Sequence, residues 1–222
     1  MSSTSGTAAG SQNWLARQLR RGILGEGLLG IVVSLLLIVA ILGTNLIYDG
    51  LNHGPNRIFL RTPLDQALPV VPVFAIPYVS LIPYIGVSLL AMLFFRVRVY
   101  RSAAISMIIA WFVSYAFYFF LQSYIDRPHI PGTDPFSAMV RSIYASDQPY
   151  NDFPSLHTSL STIIAIHLWR MDRRIGIPAA IWTALIVAST VLVKQHYLAD
   201  VGGGLVLAGV ASWLVLRITR AS

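Results

Sequence analysis

Two short motifs place histidines at positions where a nucleophile and a proton donor would be useful. The first is a Pro-Ser-Leu-His run that ends at His157, and the second spans residues 194–200 and contains His196 and Asp200. If Asp200 begins a helix, the spacing of four puts His196 and Asp200 on one face. The carboxylate can then accept the imidazole N–H, fix its tautomer and stabilise the imidazolium that follows attack. The spacing predicts a nucleophile with its orienting partner.

The first motif also resembles a phosphate-binding helix start. We expect Asp152 to be the N-cap and Pro154 to lie in the first turn. Unpaired N–H groups and the positive end of the helix dipole would then hold a phosphate together with Ser155. His157 would lie beside that phosphate as a candidate general acid.

Two basic residues are candidates for adding positive charge to the same site. Arg127, in an Asp-Arg-Pro run, offers a guanidinium fork that matches phosphate oxygens. Lys194 is the only lysine in the sequence and precedes His196 by two positions. The predicted catalytic residues are His157, His196 and Asp200, and the predicted phosphate-binding residues are Arg127, Ser155 and Lys194.

The composition indicates that a bilayer surrounds these residues. Of the 222 residues, 55% are hydrophobic and 11% are charged, whereas soluble domains carry roughly a quarter charged residues. The absence of cysteine excludes disulfides and thiolate nucleophiles or metal sites. The net charge of +7 does not indicate nucleic-acid binding, because the basic residues lie between apolar spans instead of clustering on a soluble face.

The elements that must position the motifs are membrane helices. We predict an all-α membrane protein with a bundle of six transmembrane helices, because each needs about 20 apolar residues. Residues 1–22 are expected to form a disordered tail and an interfacial amphipathic segment, and residues 23–222 the six-span domain. The predicted spans are 23–48, a second that begins near residue 83, 102–122, 155–169, 175–193 and 200–216.

A proline-rich segment precedes the regular part of the second span. Residues 67–95 contain four prolines, and an interior proline removes a helical hydrogen bond and clashes with the preceding turn. We therefore expect the first half of this stretch to be broken and shielded from lipid by other parts of the protein.

The arginines predict the orientation of the bundle. They flank the N-terminal, second-to-third, fourth-to-fifth and C-terminal segments, and such residues favour the cytoplasmic side. Both termini should be cytoplasmic, which leaves residues 49–66, 123–154 and the link containing His196 on the outer face of the plasma membrane. The use of arginine almost everywhere in place of lysine is typical of a GC-rich bacterial gene.

The three polar motifs resemble those of the type 2 phosphatidic acid phosphatase superfamily, over about residues 124–204. The sequences of residues 194–201 and of the proline-rich stretch from residue 64 to 83 are more similar to those of the branch that contains inositol phosphorylceramide and sphingomyelin synthases. The resemblance implies a metal-independent, cofactor-free reaction through a phosphohistidine. It implies His196 as nucleophile, His157 as general acid and Asp200 as orienter.

The sequence departs from the superfamily pattern at two basic positions. Where the pattern has a lysine before the Arg-Pro element this chain has Phe120, and where it has an arginine before the nucleophile this chain has Thr190. Lys194 is expected to restore one positive charge.

The predicted function is a membrane lipid phosphatase or phosphotransferase acting at the outer face. Its substrate would be phosphatidic acid, a polyprenyl phosphate or diphosphate, or an inositol-containing phospholipid. The sequence does not indicate the oligomeric state. Alternatives are a transporter with a His/Asp/Arg relay, a zinc site on His157, His196 and Asp200, and histidines that only cap helices and hydrogen-bond between them.

Overall fold

A computed structural model describes residues 14, 16–54 and 58–220, and this part of the chain is helical with only isolated β-bridges. The predicted disordered tail at residues 1–13 lies outside the described residues. We number the α-helices α1 to α9 in chain order. They are α1 (Leu28–Leu51), α2 (Pro63–Ala67), α3 (Ala75–Val79), α4 (Leu81–Phe95), α5 (Val97–Phe120), α6 (Pro135–Ser146), α7 (Leu156–Met171), α8 (Arg173–Leu192) and α9 (Leu198–Arg220).

Five helical stretches of the described chain are long and apolar enough to cross a membrane. They are Leu28–Tyr48, Pro72–Phe95, Val97–Phe120, Arg173–Leu192 and Leu198–Thr219. Each corresponds to one predicted span, and the largest difference is at the second, which was predicted to begin near residue 83 and begins at Pro72. The remaining predicted span corresponds to α7, whose 16 residues make it shorter than the others.

The proline-rich segment is a series of short helical pieces. Thr62 caps α2, with Pro63 in its first turn, and a 3₁₀ turn at Pro72–Phe74 leads into α3. The two prolines stand at helix starts, where the missing N–H costs nothing. Ser80 then separates α3 from the long helix α4.

Helix α7 is the centre of the bundle, since it packs against α4, α5, α8 and α9. Two of its buried hydroxyl groups are satisfied within the helix: Ser161 donates to the carbonyl of His157, and Ser159 donates to that of Ser155. Internal pairing of this kind is what an apolar surrounding demands of polar groups. The contacts with four other helices hold α7, and with it His157, in place.

Polar contacts connect α1 to α5 at both ends. Near one end, Arg101 donates to the Glu26 carboxylate at 2.6 Å and to the hydroxyl of Ser34. Near the other end, the Tyr115 hydroxyl donates to the carbonyl of Thr44 at 2.7 Å. These contacts hold α1 beside the bundle although most of its apolar surface is exposed.

Candidate active site

The two motif histidines meet at one end of the bundle. His157 is the second residue of α7, and His196 lies in the short link between α8 and α9. Their ring centroids are 6.1 Å apart with an interplanar angle of 56°. The structure therefore brings together two residues that are separated by 39 positions in the sequence.

Asp200 lies behind His196 in the first turn of α9, which begins at Leu198 and not at Asp200 as predicted. Its Oδ2 atom is 3.7 Å from Nδ1 of His196, and both side chains are buried. This distance is longer than a hydrogen bond, and Oδ2 accepts the backbone N–H of Tyr197 at 2.7 Å instead. In this arrangement Nδ1 of His196 has no hydrogen-bond partner among the described residues, and closing the gap to Asp200 would complete the expected hydrogen bond.

The start of α7 differs from the prediction. Asp152 is not the N-cap, because Ser155 caps the helix by accepting the N–H of Thr158. The backbone N–H groups of Asp152 and Phe153 are taken by the hydroxyl of Ser123. The helix therefore begins only after Ser155, and Pro154 precedes it.

Ser155 joins the two motifs. Its backbone N–H donates to the carbonyl of Asp200 at 3.1 Å, and its side chain is fully buried. Gly204 permits this contact, because a Cβ there would stand 2.7 Å from the carbonyl oxygen of Ser155. The predicted phosphate ligand Ser155 is therefore used in joining α7 to α9, and its side chain does not line the cavity described below.

Arg127 reaches the site through a neighbour of His196. One guanidinium nitrogen, Nη2, donates to the side-chain oxygen of Gln195 at 2.6 Å, and Nη1 donates to the carbonyl of Asp147 at 2.6 Å. A further carbonyl contact to Gln148 uses the same fork, while Nε has no partner among the described residues. The predicted phosphate fork thus adjoins His196 while most of its donors bind protein.

Lys194 points away from the histidines. Its ammonium group donates to the carbonyl oxygens of Asp65 at 2.8 Å and Leu68 at 2.7 Å, and burial lowers its pKa. Although it precedes His196 by two positions, it does not line the cavity that contains the two imidazoles.

The two positions that lack the superfamily's basic residues have different surroundings. Phe120 is 64% exposed at the end of α5. Thr190 is fully buried, and its carbonyl accepts the N–H groups of both Gln195 and His196. Thr190 therefore shapes the link that carries His196.

A cavity of about 440 Å³ opens beside the histidine pair. Its polar end contains Asp147, Asn151, Asp152 and Gln195 together with the two imidazoles, and its body is apolar. Among the described residues, its lining includes no lysine or arginine. The apolar body is formed by α1, α4, α5 and α7, and includes Ile38, Ile41, Leu81, Ile85, Gly86, Leu89, Leu93, Leu156 and Leu160.

The carboxyl groups at the polar end are perturbed by burial. Burial raises the pKa of Asp152 well above its usual range, and the negative charge of Asp200 adds to this effect. Burial also raises the pKa of Asp147, against the opposing charge of Arg127. A raised pKa favours the neutral acids, which lessens their repulsion of a phosphate.

Comparison with known families gives one match. The model of the PAP2 superfamily matches residues 57–214, which is more than half of the chain. The chain belongs to the PAP2 superfamily. No curated protein and no solved structure matches it. Superfamily membership indicates a function of the phosphatase or phosphotransferase type, and the predicted resemblance is confirmed at the level of the superfamily.

Several residues of this PAP2 site were not among the predicted site residues. The ring of Tyr78 stacks on His157 at 4.1 Å with an interplanar angle of 16°. Asp147, Asp152 and Gln195 line the polar end of the cavity. Gln195 precedes a predicted catalytic residue, which is a usable signal. Tyr78 lies in the proline-rich stretch, and nothing in its local sequence indicates a contact with His157.

The described part of this PAP2 chain contains no group of three or more His, Asp or Glu side chains placed to hold a metal ion. His157 and His196 both line the cavity, and of these two histidines Asp200 approaches only His196. The arrangement therefore gives no support to the alternative of a shared zinc site.

Proposed function

We propose that this protein is a membrane lipid phosphatase or phosphotransferase that works through a phosphohistidine on His196. The observation that carries the proposal is the meeting of His157 and His196, from two separate motifs, in the wall of one cavity. A buried carboxylate behind one of the two imidazoles makes their roles unequal. This asymmetry is what a nucleophile and a separate proton donor require.

In the proposed first step, neutral His196 attacks the phosphorus atom. The bond from phosphorus to the leaving oxygen breaks, and protonated His157 gives that oxygen its proton. Asp200 stabilises the positive charge that forms on His196. The first step leaves the phosphoryl group on His196 and a neutral His157.

In the second step, His157 acts as a base. It takes a proton from water or from an alcohol, whose oxygen attacks the phosphohistidine and breaks the P–N bond. Attack by water completes hydrolysis, and attack by an alcohol completes transfer. The resemblance of residues 194–201 to the sphingolipid synthase branch favours a lipid alcohol as acceptor.

The apolar cavity supports a lipid substrate. From Leu81 to Leu93 its lining follows α4 for roughly 18 Å, at about 1.5 Å per residue. A hydrocarbon chain placed there would bury apolar surface while its phosphate remained beside the histidines. The candidates are phosphatidic acid, a polyprenyl phosphate or diphosphate, and an inositol-containing phospholipid.

For the topology we propose six spans, with α7 as the short one, and both termini in the cytoplasm of a bacterial cell. Arginines lie at or just beyond the C-terminal ends of α4, α7 and α9, and basic residues favour the cytoplasmic side. The site lies at the opposite ends of these helices. It would therefore face outward from the plasma membrane.

Phosphate release from lipid phosphates tests this function. Purified protein in detergent should release phosphate or exchange it to an alcohol, and His196→Ala should do neither. Detergent solution removes the transport alternative, because no second compartment exists there. A wild-type protein without turnover on any lipid phosphate, in water or with added alcohols, would contradict the proposal.

A further inference from the structure

Asp65 contacts the chain on both sides of His196. Its backbone carbonyl accepts the ammonium of Lys194 at 2.8 Å, and its carboxylate Oδ1 accepts the backbone N–H of Leu198 at 2.8 Å. Lys194 precedes His196 by two positions, and Leu198 follows it by two. Asp65 therefore holds the chain on both sides of the candidate nucleophile.

Asp65 is itself firmly held. Its Oδ2 accepts the N–H of Thr62 at 2.7 Å and the hydroxyl of the same residue, which completes a capping box on α2. Only 4% of Asp65 is exposed. The two hydrogen bonds from Thr62 fix the carboxylate of Asp65 relative to the backbone at the start of α2.

Lys194 adopts an uncommon backbone conformation at the same place. Its φ angle is 54°, in the left-handed region that non-glycine residues seldom occupy. The second carbonyl bound by its ammonium belongs to Leu68, and the N–H of Val71 donates to the carbonyl of Leu192 at 2.9 Å. Several contacts from one segment therefore hold the link in this shape.

The same stretch of chain also contacts His157, through Tyr78. Tyr78 of α3 stacks on the ring of His157, and Tyr78 is only 6% exposed. Ring stacking at this distance restricts the rotation of the imidazole. One continuous stretch of chain, residues 62–79, therefore contacts the surroundings of both histidines.

We propose that residues 62–79 form a positioning segment that sets the placement of His196 relative to His157. Asp65 and Lys194 hold the link that carries His196, and Tyr78 holds the ring of His157. In this proposal Lys194 is a positioning residue and not a phosphate ligand. The inference rests on the proposed function for its kinetic readouts, and on thermal stability for a readout that is independent of activity.

The two roles of Lys194 have different kinetic consequences. A phosphate ligand acts on binding, so its loss should raise KM and the inhibition constant of inorganic phosphate. A positioning residue acts on the geometry of attack, where misplacement by about 1 Å can cost roughly 10²-fold in rate. Its loss should lower kcat and leave the inhibition constant of phosphate unchanged.

The experiment measures kcat and KM for p-nitrophenyl phosphate, inhibition by inorganic phosphate, and Tm in detergent. We expect Lys194→Met and Asp65→Ala to lower kcat by about 10², with KM and phosphate inhibition near wild type. Lys194→Arg and Asp65→Asn, which keep part of the contacts, should recover part of the rate. Asp134→Ala is the matched control, because it removes the cap of α6 without touching the link.

Tyr78 tests the other end of the positioning segment. Tyr78→Ala should lower the rate of phosphoenzyme formation from an alkyl phosphate more than from p-nitrophenyl phosphate, because in that step only the alkyl leaving group needs the proton of His157. Tyr78→Phe keeps a stacked ring and should recover most of the lost rate. Equal losses on both substrates in Tyr78→Ala would contradict this part of the proposal.

Thermal stability separates failure of the positioning segment from failure of the proposed function. The Tm losses of Lys194→Met and Asp65→Ala should be less than additive in the double variant, since both break one contact set. Additive losses, or a raised KM and weaker phosphate inhibition in Lys194→Met with kcat unchanged, would overturn the positioning role. If wild-type protein shows no turnover, the proposed function fails. The Tm values of the single and double variants then decide alone whether Lys194 and Asp65 act through one contact.

Discussion

His196 and His157 lie side by side but are held by different kinds of structure. His196 lies in a link whose backbone is bound on both sides, with a buried carboxylate 3.7 Å away. His157 lies in the first turn of the central helix, and a tyrosine ring is stacked on it. Charge and backbone contacts surround one imidazole, and helix and ring packing surround the other.

This difference fits two unequal tasks. A nucleophile acquires positive charge and a new bond, so it benefits from a nearby anion and a fixed position. A proton donor changes only its protonation state, and ring packing can orient it without stabilising a particular charge. If the assignment is correct, perturbations near the two histidines should give different kinetic signatures.

The largest effect should come from removing each histidine in turn. His196→Ala should abolish turnover of aryl and alkyl phosphates alike. His157→Ala should lower alkyl phosphate turnover by about 10²–10⁴ but spare formation of the phosphoenzyme from an aryl phosphate, whose leaving group needs no proton. Burst kinetics with p-nitrophenyl phosphate measures this step. The reverse pattern would exchange the two roles.

Arg127 sharpens the comparison on the side of His196. Arg127→Lys keeps the charge but loses the fork that binds Gln195 and the carbonyl of Asp147. We expect kcat/KM to fall about tenfold, because a point charge cannot hold both acceptors. Wild-type kcat/KM in Arg127→Lys would contradict a role of the guanidinium fork in turnover.

Gly86 tests the cavity away from both histidines. A Cβ at Gly86 meets nothing within 4 Å, and Gly86 lines the apolar body, so a larger side chain would enter open space. Gly86→Phe should lower kcat/KM several-fold more for a long-chain lipid phosphate than for a short-chain analogue. Gly209→Phe on α9, which is equally open, is the control and should lower neither. Equal losses on both substrates would mean that the chain binds elsewhere.

The smallest effect concerns acid stability on the side of His196. Burial acts to raise the pKa of Asp65, but hydrogen bonds from Thr62 and Leu198 outweigh it, and the pKa lies below 3.8. The stabilisation by this carboxylate is therefore present above about pH 4 and is lost as the pH falls through the lowered pKa. Tm in detergent should decline below that pH less steeply in Asp65→Asn. Parallel declines in both proteins would contradict this linkage.

Local spacing was sufficient to predict much of the candidate site. His196 and Asp200 lie only four positions apart at the start of a helix, and the Pro-Ser-Leu-His run also lies at a helix start. Apolar length likewise predicted the helices that correspond to the membrane spans. Such features depend on neighbours in the sequence, so the sequence alone contains them.

The direction of the basic side chains could not be predicted. Lys194 is drawn to carbonyl groups more than 120 positions away in the sequence, and Arg127 is drawn to the chain just after α6. The predicted start of α7 was wrong for a related reason. Ser123, 29 positions before Asp152, takes the N–H groups that would otherwise have begun the helix. The apolar cavity depends in the same way on which helices become neighbours.

The most direct test of the central claim is to locate the covalent phosphate. Wild-type protein mixed with a ³²P-labelled aryl phosphate, quenched in base and digested, should yield an acid-labile phosphopeptide that contains His196. His157→Ala should accumulate more of this species, because hydrolysis of the phosphohistidine needs the base. Phosphate on His157, or turnover by wild-type protein without any acid-labile phosphopeptide, would contradict the account.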